Sequence, residues 1–421
     1  LLAAISCLGG LAAAASFGPK KHAPSVQVQP ARARAELALS FEPGPDPTGR
    51  AIAKAQDAVR RSPDELAPYV ALATEFVRRR RETNDLGLQI YAEDALRAAK
   101  DLDADDPKVL RIETMLLQDQ HRFAAARDSA RRLIALQPEE TSGHVLLGDA
   151  LLELGDYDAA EKAFQHALDI RPDLMSYERG AHLRWLHGDV VGAIQLYGLA
   201  LDAGSARDPE SSAWCHVEVG QIHWHRGDSA SALASAKRAL ALVVDYAPAL
   251  LLQGRALAQS GETKEAIRIL SSVAQRTPTV EVLLELAELL DGPQASPKLE
   301  EARRRATTEP LAMALWLARR KQQPEKALAL AEQELSARKN VAAHDGYALA
   351  LLRAGRVHEA KRSIAKALAL GTPDARFQLH EGLILAATGD RAAAKQRLAR
   401  ALALNPKVDP RLVDELREAT R

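Results

Sequence analysis

The chain has 421 residues, 47% hydrophobic and 4% aromatic, and its 56 basic and 56 acidic side chains give a formal net charge of zero. That balance argues against bulk nucleic-acid binding, which needs a basic stripe to displace phosphate counterions. The scarcity of aromatic residues argues against one large globular core and fits alanine-rich helices in close contact.

From the N-terminus, Leu1 to Ser16 is apolar or small throughout and is followed by Phe17, Gly18, Pro19, Lys20 and Lys21. This is the pattern of a secretory signal's hydrophobic region, with Ala12 to Ala14 or Ala13 to Ala15 as small-residue cleavage sites. Residues 1–18 are therefore read as a signal peptide or membrane anchor. Cleaved export, a retained single span, lipidation at Cys7 behind Ala4, Ile5 and Ser6, and a buried or disordered segment all stay open. The first three place the rest of the chain outside the cytoplasm, periplasmic or secreted. The style of the segment and the Ala/Arg-rich composition point to a bacterial source. Residues 19–50 carry Pro19, Pro24, Pro30, Pro43, Pro45 and Pro47 and read as a linker.

Residues 51–406 are punctuated by a turn glycine with an alanine five residues later: Gly155 and Ala160, Gly188 and Ala193, Gly227 and Ala232, Gly261 and Ala266, Gly355 and Ala360, Gly389 and Ala394. Pro138 to Pro172, Val244 to Pro278 and Gly227 to Gly261 each span 34 residues. A period of this size means stacked units rather than one core. Clear units start near Pro107, Thr141, Leu174, Ala213, Ala247, Val341 and Ala375. Weaker pairs are read at Ala67 to Asp101, with a linker stretched by Arg78 to Asn84, and twice between Thr279 and Asn340. That makes about nine to ten units, several of them degenerate. A lone helix at Ala51 to Arg61 precedes them, and a charged helix in 407–421 caps the far end.

Local chemistry explains the helix pairs. Alanine and leucine are strong helix formers, and Ala160, Phe164, Ala167 and Leu168 form one apolar stripe. Each turn glycine suits the left-handed conformation that ends a first helix. Asp156, Asp189, Asp228 and Asp390 follow at once and are N-caps for the second. The runs Arg78 to Arg81 and Arg303 to Arg305 are read as solvated helix ends or faces.

Within Thr141 to Pro172, Gly148 and Ala160 are the small residues, Leu147, Leu151 and Phe164 the larger apolar ones, and Ala167 and Pro172 close the unit. This resembles the tetratricopeptide repeat, with Gly148, Gly220, Gly254 and Gly382 in the first helices completing the repeated pattern. The resemblance implies an all-α, right-handed superhelical solenoid of antiparallel helix pairs, in which first helices line a concave groove. It further implies a non-enzymatic scaffold or adaptor for a partner protein or peptide. An envelope assembly factor tethered by residues 1–18 is the alternative within that class.

Trp185 lies three residues before Gly188, and Trp224 three before Gly227, so the two are equivalent in adjacent units. With Trp214, and with His182, Gln221 and His225 beside them, they form an aromatic face able to stack on a peptide. The competing reading is packing against the insertion Ala203 to Ser212. The Lys and Asn clamp for carboxylate tails is absent, since its slots hold Val145 and Asp149, Glu178 and His182, and Val217 and Gln221.

The sequence shows no phosphate loop, nucleophile elbow, paired-cysteine motif or His-Glu-x-x-His helix, so no catalytic residue, metal site or cofactor is expected. Cys215, His216, Glu218, His223 and His225 are close in sequence. His216 and His223, however, stand about 10.5 Å apart along a helix, too far to share one zinc. A metal-dependent site there, or a targeting arm of an enzyme, is the alternative of another class. If the leader is removed, Cys215 is the sole thiol, read as a small buried filler or, alternatively, an intermolecular disulfide partner. A membrane enters only through residues 1–18, uncleaved or lipidated.

Overall fold

The computed structural model describes residues 35–290 and 292–421. The readings for 1–18, for Cys7 and for residues 19–34 of the linker lie outside the described residues. Among the described residues there are 23 α-helices and no strands. Helices α1 (Glu36–Ser40) and α2 (Pro47–Arg61) lead into ten antiparallel pairs. The first five pairs are α3 (Leu66–Thr83) with α4 (Gln89–Leu102), α5 (Pro107–Asp119) with α6 (Phe123–Leu136), α7 (Thr141–Glu153) with α8 (Tyr157–Ile170), α9 (Leu174–Leu186) with α10 (Val190–Asp202), and α11 (Pro209–His225) with α12 (Ser229–Leu242). The remaining five are α13 (Ala247–Ser260) with α14 (Thr263–Arg276), α15 (Val280–Leu289) with α16 (Ala295–Arg304), α17 (Pro310–Arg319) with α18 (Pro324–Ala337), α19 (Val341–Arg353) with α20 (Val357–Ala367), and α21 (Ala375–Ala387) with α22 (Arg391–Leu404). Helix α23 (Pro410–Ala419) follows and buries Leu412, Val413 and Leu416.

Two local readings are corrected. Residues 35–50 are not a free tether. The Ala38 amide donates to Asp94 Oδ2 at 3.1 Å, and Gln56 Nε2 donates to the carbonyls of Ala38 and Phe41, so this stretch is fixed onto α2 and α4. Arg78 to Thr83 is not a linker but the last turns of α3, which ends at Asn84 in the left-handed region. Its arginines find carboxylates, Arg79 at 2.8 Å from Asp46 and Arg80 at 2.9 Å from Asp119.

The turn chemistry is uniform. Gly155, Gly188, Gly227, Gly261, Gly355 and Gly389 all have φ between 75° and 89°. Asp189, Asp228 and Asp390 then accept from the amides of Gly192, Ser231 and Ala393 at 2.8 to 3.0 Å, and Asp156 from Ala159 at 3.3 Å. In two pairs without a turn glycine, His121 (φ 56°) and Lys321 (φ 55°) take the left-handed place that glycine holds elsewhere. Where the paired helices cross, Ala160, Ala193, Ala232, Ala266, Ala360 and Ala394 are fully buried. Gly148 lets the Phe164 ring lie directly on its backbone, since a Cβ there would sit 2.3 Å from the ring. One pair cannot cover its own stripe, and stacking merges the stripes into shared cores, the largest running from Leu250 to Leu416.

The solenoid coils tightly enough for one turn to touch the next. The turn after α7 meets the segment between α18 and α19. There the Lys339 amide donates to the Glu153 carbonyl at 2.7 Å, Asn340 Nδ2 to Glu153 Oε2 at 2.8 Å, and the Val341 amide to the Tyr157 hydroxyl at 2.8 Å. The turn after α9 meets the segment between α20 and α21, where Thr372 Oγ1 donates to the Leu186 carbonyl. The turn after α11 meets the segment between α22 and α23, where Lys407 Nζ reaches Ser229 Oγ at 3.3 Å. Thr277, between α14 and α15, donates to the Thr83 carbonyl at the end of α3. Glycine is doubly required on this seam: a Cβ at Gly155 would lie 2.6 Å from the Lys339 carbonyl oxygen, whereas nothing stands within 4 Å of one at Gly355.

Candidate partner-binding cavity

Coiling the first helices inward encloses a cavity of about 1000 Å³. Each wall helix contributes one face at helical spacing: Glu218, Gln221, Ile222 and His225 from α11, then Glu281, Leu284, Glu285 and Glu288 from α15. The next turn of the coil adds Asp345 from α19, Phe377 and His380 from α21, and Asp374 and Arg376 at its start, with Asp374 3.5 Å from His225.

Five of the six residues read as an aromatic face line this cavity: His182, Trp185, Gln221, Trp224 and His225. The four rings among them form a continuous series. Centroids are 5.9 Å apart for His182 and Trp185, 5.5 Å for Trp185 and His225, and 5.0 Å for Trp224 and His225. The Arg255 guanidinium closes it, 5.4 Å from the Trp224 ring centroid. Trp214 is separate. It is 37% exposed, and its Nε1–H donates to Glu178 Oε1 at 3.3 Å, so it shares a helix with Trp224 but not a surface.

The potential metal ligands scatter in the same way. Glu218 and His225 face the cavity, Cys215 is buried in the apolar layer beneath, and His223 lies 3.5 Å from Asp228 at the turn. Among the described residues no three His, Cys, Asp or Glu side chains converge on a common point. Burial pushes the Cys215 thiol up to about 12, the behaviour of an inert filler rather than a thiolate.

The wall is charged and largely self-paired. Arg255 binds Glu281 and Glu285 at 2.5 and 2.6 Å. Arg319 reaches Glu288 and Asp409, Arg338 reaches Glu153 and Glu334, and Arg376 binds Asp374 at 2.5 Å. Burial works against the Asp374 charge, but Arg376 and His225 outweigh it and hold that carboxyl below the usual range. Burial also pulls His225 down to about 4 despite Asp374 at 3.5 Å, and pulls His121 down to about 4 with help from Arg338 and Arg80. His380 Nδ1 lies 2.7 Å from Asp345 Oδ1, while its Nε2 has no partner among the described residues.

Sequence reasoning missed Arg255, Asp345, Asp374, Arg376 and His380. They belong to the next unit along or to the next turn of the coil, and no short-range spacing marks them.

Residues 115–174 and 219–281 match the family model for the tetratricopeptide repeat. No curated protein matches the chain. Among solved structures, the chain is similar to Naa15/Naa10 bound to HypK-THB, with 16% identity over 92% of this chain and 65% of that one and a TM-score of 0.29. It is also similar to a tetratricopeptide repeat protein from Parabacteroides merdae, with 15% identity over 75% and 98% of the two chains and a TM-score of 0.32. Yeast Tom70 gives 12% identity over 88% and 85%, with a TM-score of 0.35. The chain thus spans less than two thirds of the length of the first of these. Residues 115–174 and 219–281 are thus tetratricopeptide repeats, and the left-handed glycines and buried alanines of those segments recur in helix pairs outside them.

Proposed function

We propose that this protein is a non-enzymatic adaptor that holds a segment of a partner protein inside its coil. Tetratricopeptide repeats are protein-interaction scaffolds, and the finer reading rests on one observation: the cavity of about 1000 Å³ bears the line of His182, Trp185, His225 and Trp224 on one wall. Amphipathic rings in a concave, partly desolvated site are typical anchors for a partner chain. Residues 1–18, apolar and followed by Lys20 and Lys21, support an exported protein, periplasmic or secreted and held at a membrane if that segment is retained.

The test compares partners captured from an extract of the parent organism by wild type, by Trp185→Ala/Trp224→Ala and by Trp214→Ala. Loss of a partner in the double variant alone supports the reading. Identical partner sets for all three proteins would sink it.

A further inference from the structure

We infer that the cavity is built for a cationic polypeptide segment, whose arginine or lysine side chain is taken by Glu218 beside the Trp185 ring, with His380 Nε2 as a second acceptor. This rests on the reading that a polypeptide enters the cavity, and it specifies the chemistry of that segment.

The first support is the charge inventory of the wall. Nine carboxylates line the cavity against six arginine and lysine side chains. The five arginines each already reach a wall carboxylate, Arg411 through Glu288 at 3.6 Å, and Lys407 is taken by Ser229. No wall arginine is therefore left waiting for an anionic ligand, and Lys407, held only by a hydroxyl, is outnumbered by the carboxylates.

Two wall carboxyl groups stand without a basic side chain of their own. Among the described residues, Glu218 has no arginine or lysine within ion-pair distance; it receives only the Tyr197 hydroxyl at 3.3 Å and lies 3.7 Å from His182 Nδ1. Asp345 likewise has only His380, and both are almost fully buried, 3% and 1% exposed. His380 Nε2 is a buried polar atom without a partner among the described residues, and such an atom is costly to leave so. A ligand rich in N–H donors satisfies both positions.

The surroundings favour a cation over a neutral donor. Trp185 lies between His182 and His225, Glu218 is 3.7 Å from that His182, and a ring with a carboxylate nearby is the combination that holds a guanidinium or ammonium group. His225 senses Glu218, Asp374, Arg376 and Arg255 together, which places Glu218 and the Asp374–Arg376 pair in one electrostatic neighbourhood. Burial also raises the carboxyls of Glu285, Glu309 and Glu334, so the wall carries negative charge at a cost that an incoming cation relieves.

The experiment titrates the full chain with fluorescein-labelled hexa-arginine, hexa-serine and hexa-glutamate, followed by anisotropy at physiological ionic strength. Hexa-arginine is expected to bind and hexa-glutamate not to. Glu218→Gln, which keeps an acceptor for Tyr197, should weaken hexa-arginine about tenfold or more. His380→Gln should weaken it too, while Glu265→Gln, an exposed pair on α14, should not. Thermal melts confirm folding, and if one cavity variant melts early the other carries the comparison. Unchanged affinity in the folded cavity variants, or hexa-glutamate binding as tightly as hexa-arginine, overturns the inference. A partner lost in Trp185→Ala/Trp224→Ala whose bound segment is acidic overturns the inference alone. Absence of peptide binding together with unchanged partners in the tryptophan variants overturns both readings.

Discussion

The Thr372 hydroxyl donates to the Leu186 carbonyl at 2.7 Å, a buried hydrogen bond between residues 186 positions apart. It satisfies the last carbonyl of α9 with a side chain from the next turn of the coil. One contact thus serves as both a helix C-cap and a clasp between turns.

Thr372→Val keeps the shape but removes the donor. The Leu186 carbonyl then stays buried without its partner, at a cost of about 1–3 kcal/mol. Urea denaturation should show this loss, and small-angle scattering should show a larger radius of gyration as the seam loosens. Unchanged values in both measurements would mean the clasp is incidental.

The turn glycines are not equivalent. Gly155→Ala and Gly355→Ala both place a side chain in the left-handed region, at about 1–2 kcal/mol. Only Gly155→Ala also drives a methyl group against the Lys339 carbonyl, so it should be the more destabilising by at least about 1 kcal/mol. Equal denaturation midpoints for the two variants would contradict the seam.

Acid should weaken the fold through His225. Its folded-state value is depressed to about 4 from 6.5, chiefly by burial, so the unfolded chain binds the proton more readily. This contribution is fully present above about pH 6.5 and is lost as pH falls toward 4. Raised carboxyls such as Glu285 act in the opposite direction, so the comparison must be with a variant. Stability of His225→Gln, measured by chemical denaturation, should fall less steeply between pH 6.5 and 4 than wild type. Parallel curves would show that this histidine does not report on closure.

The far end depends on α23. Leu416 is fully buried and packs where Gly382 leaves room. Leu416→Ala should cost about 2–5 kcal/mol. Because stability in stacked repeats is transmitted between neighbours, hydrogen exchange should quicken first in α21 and α22. Uniform exchange along the chain would argue against a capping role.

The helix pairs were legible because each is specified by residues a few positions apart: a left-handed glycine, an aspartate one residue on, an alanine five residues on. Trp185, Trp224, His182, Gln221 and His225 were legible for the same reason, since their distance from a turn glycine fixes the helix face. Trp214 was misplaced because only the actual position of α11 shows that its ring points toward Glu178 rather than inward. Residues 35–50 were misread because their prolines hid the anchoring of Ala38 by Asp94 and Gln56.

By itself, then, the sequence determined the stack: which segments are helices, where each turns, and which face of each is buried. Only the tertiary structure decided that the stack closes on itself, setting Thr372 on Leu186 and Lys339 on Glu153 and bringing His380 and Trp185 to the lining of one cavity. Closure depends on a small rotation at every interface, accumulated over several units, and no local residue pattern encodes that sum.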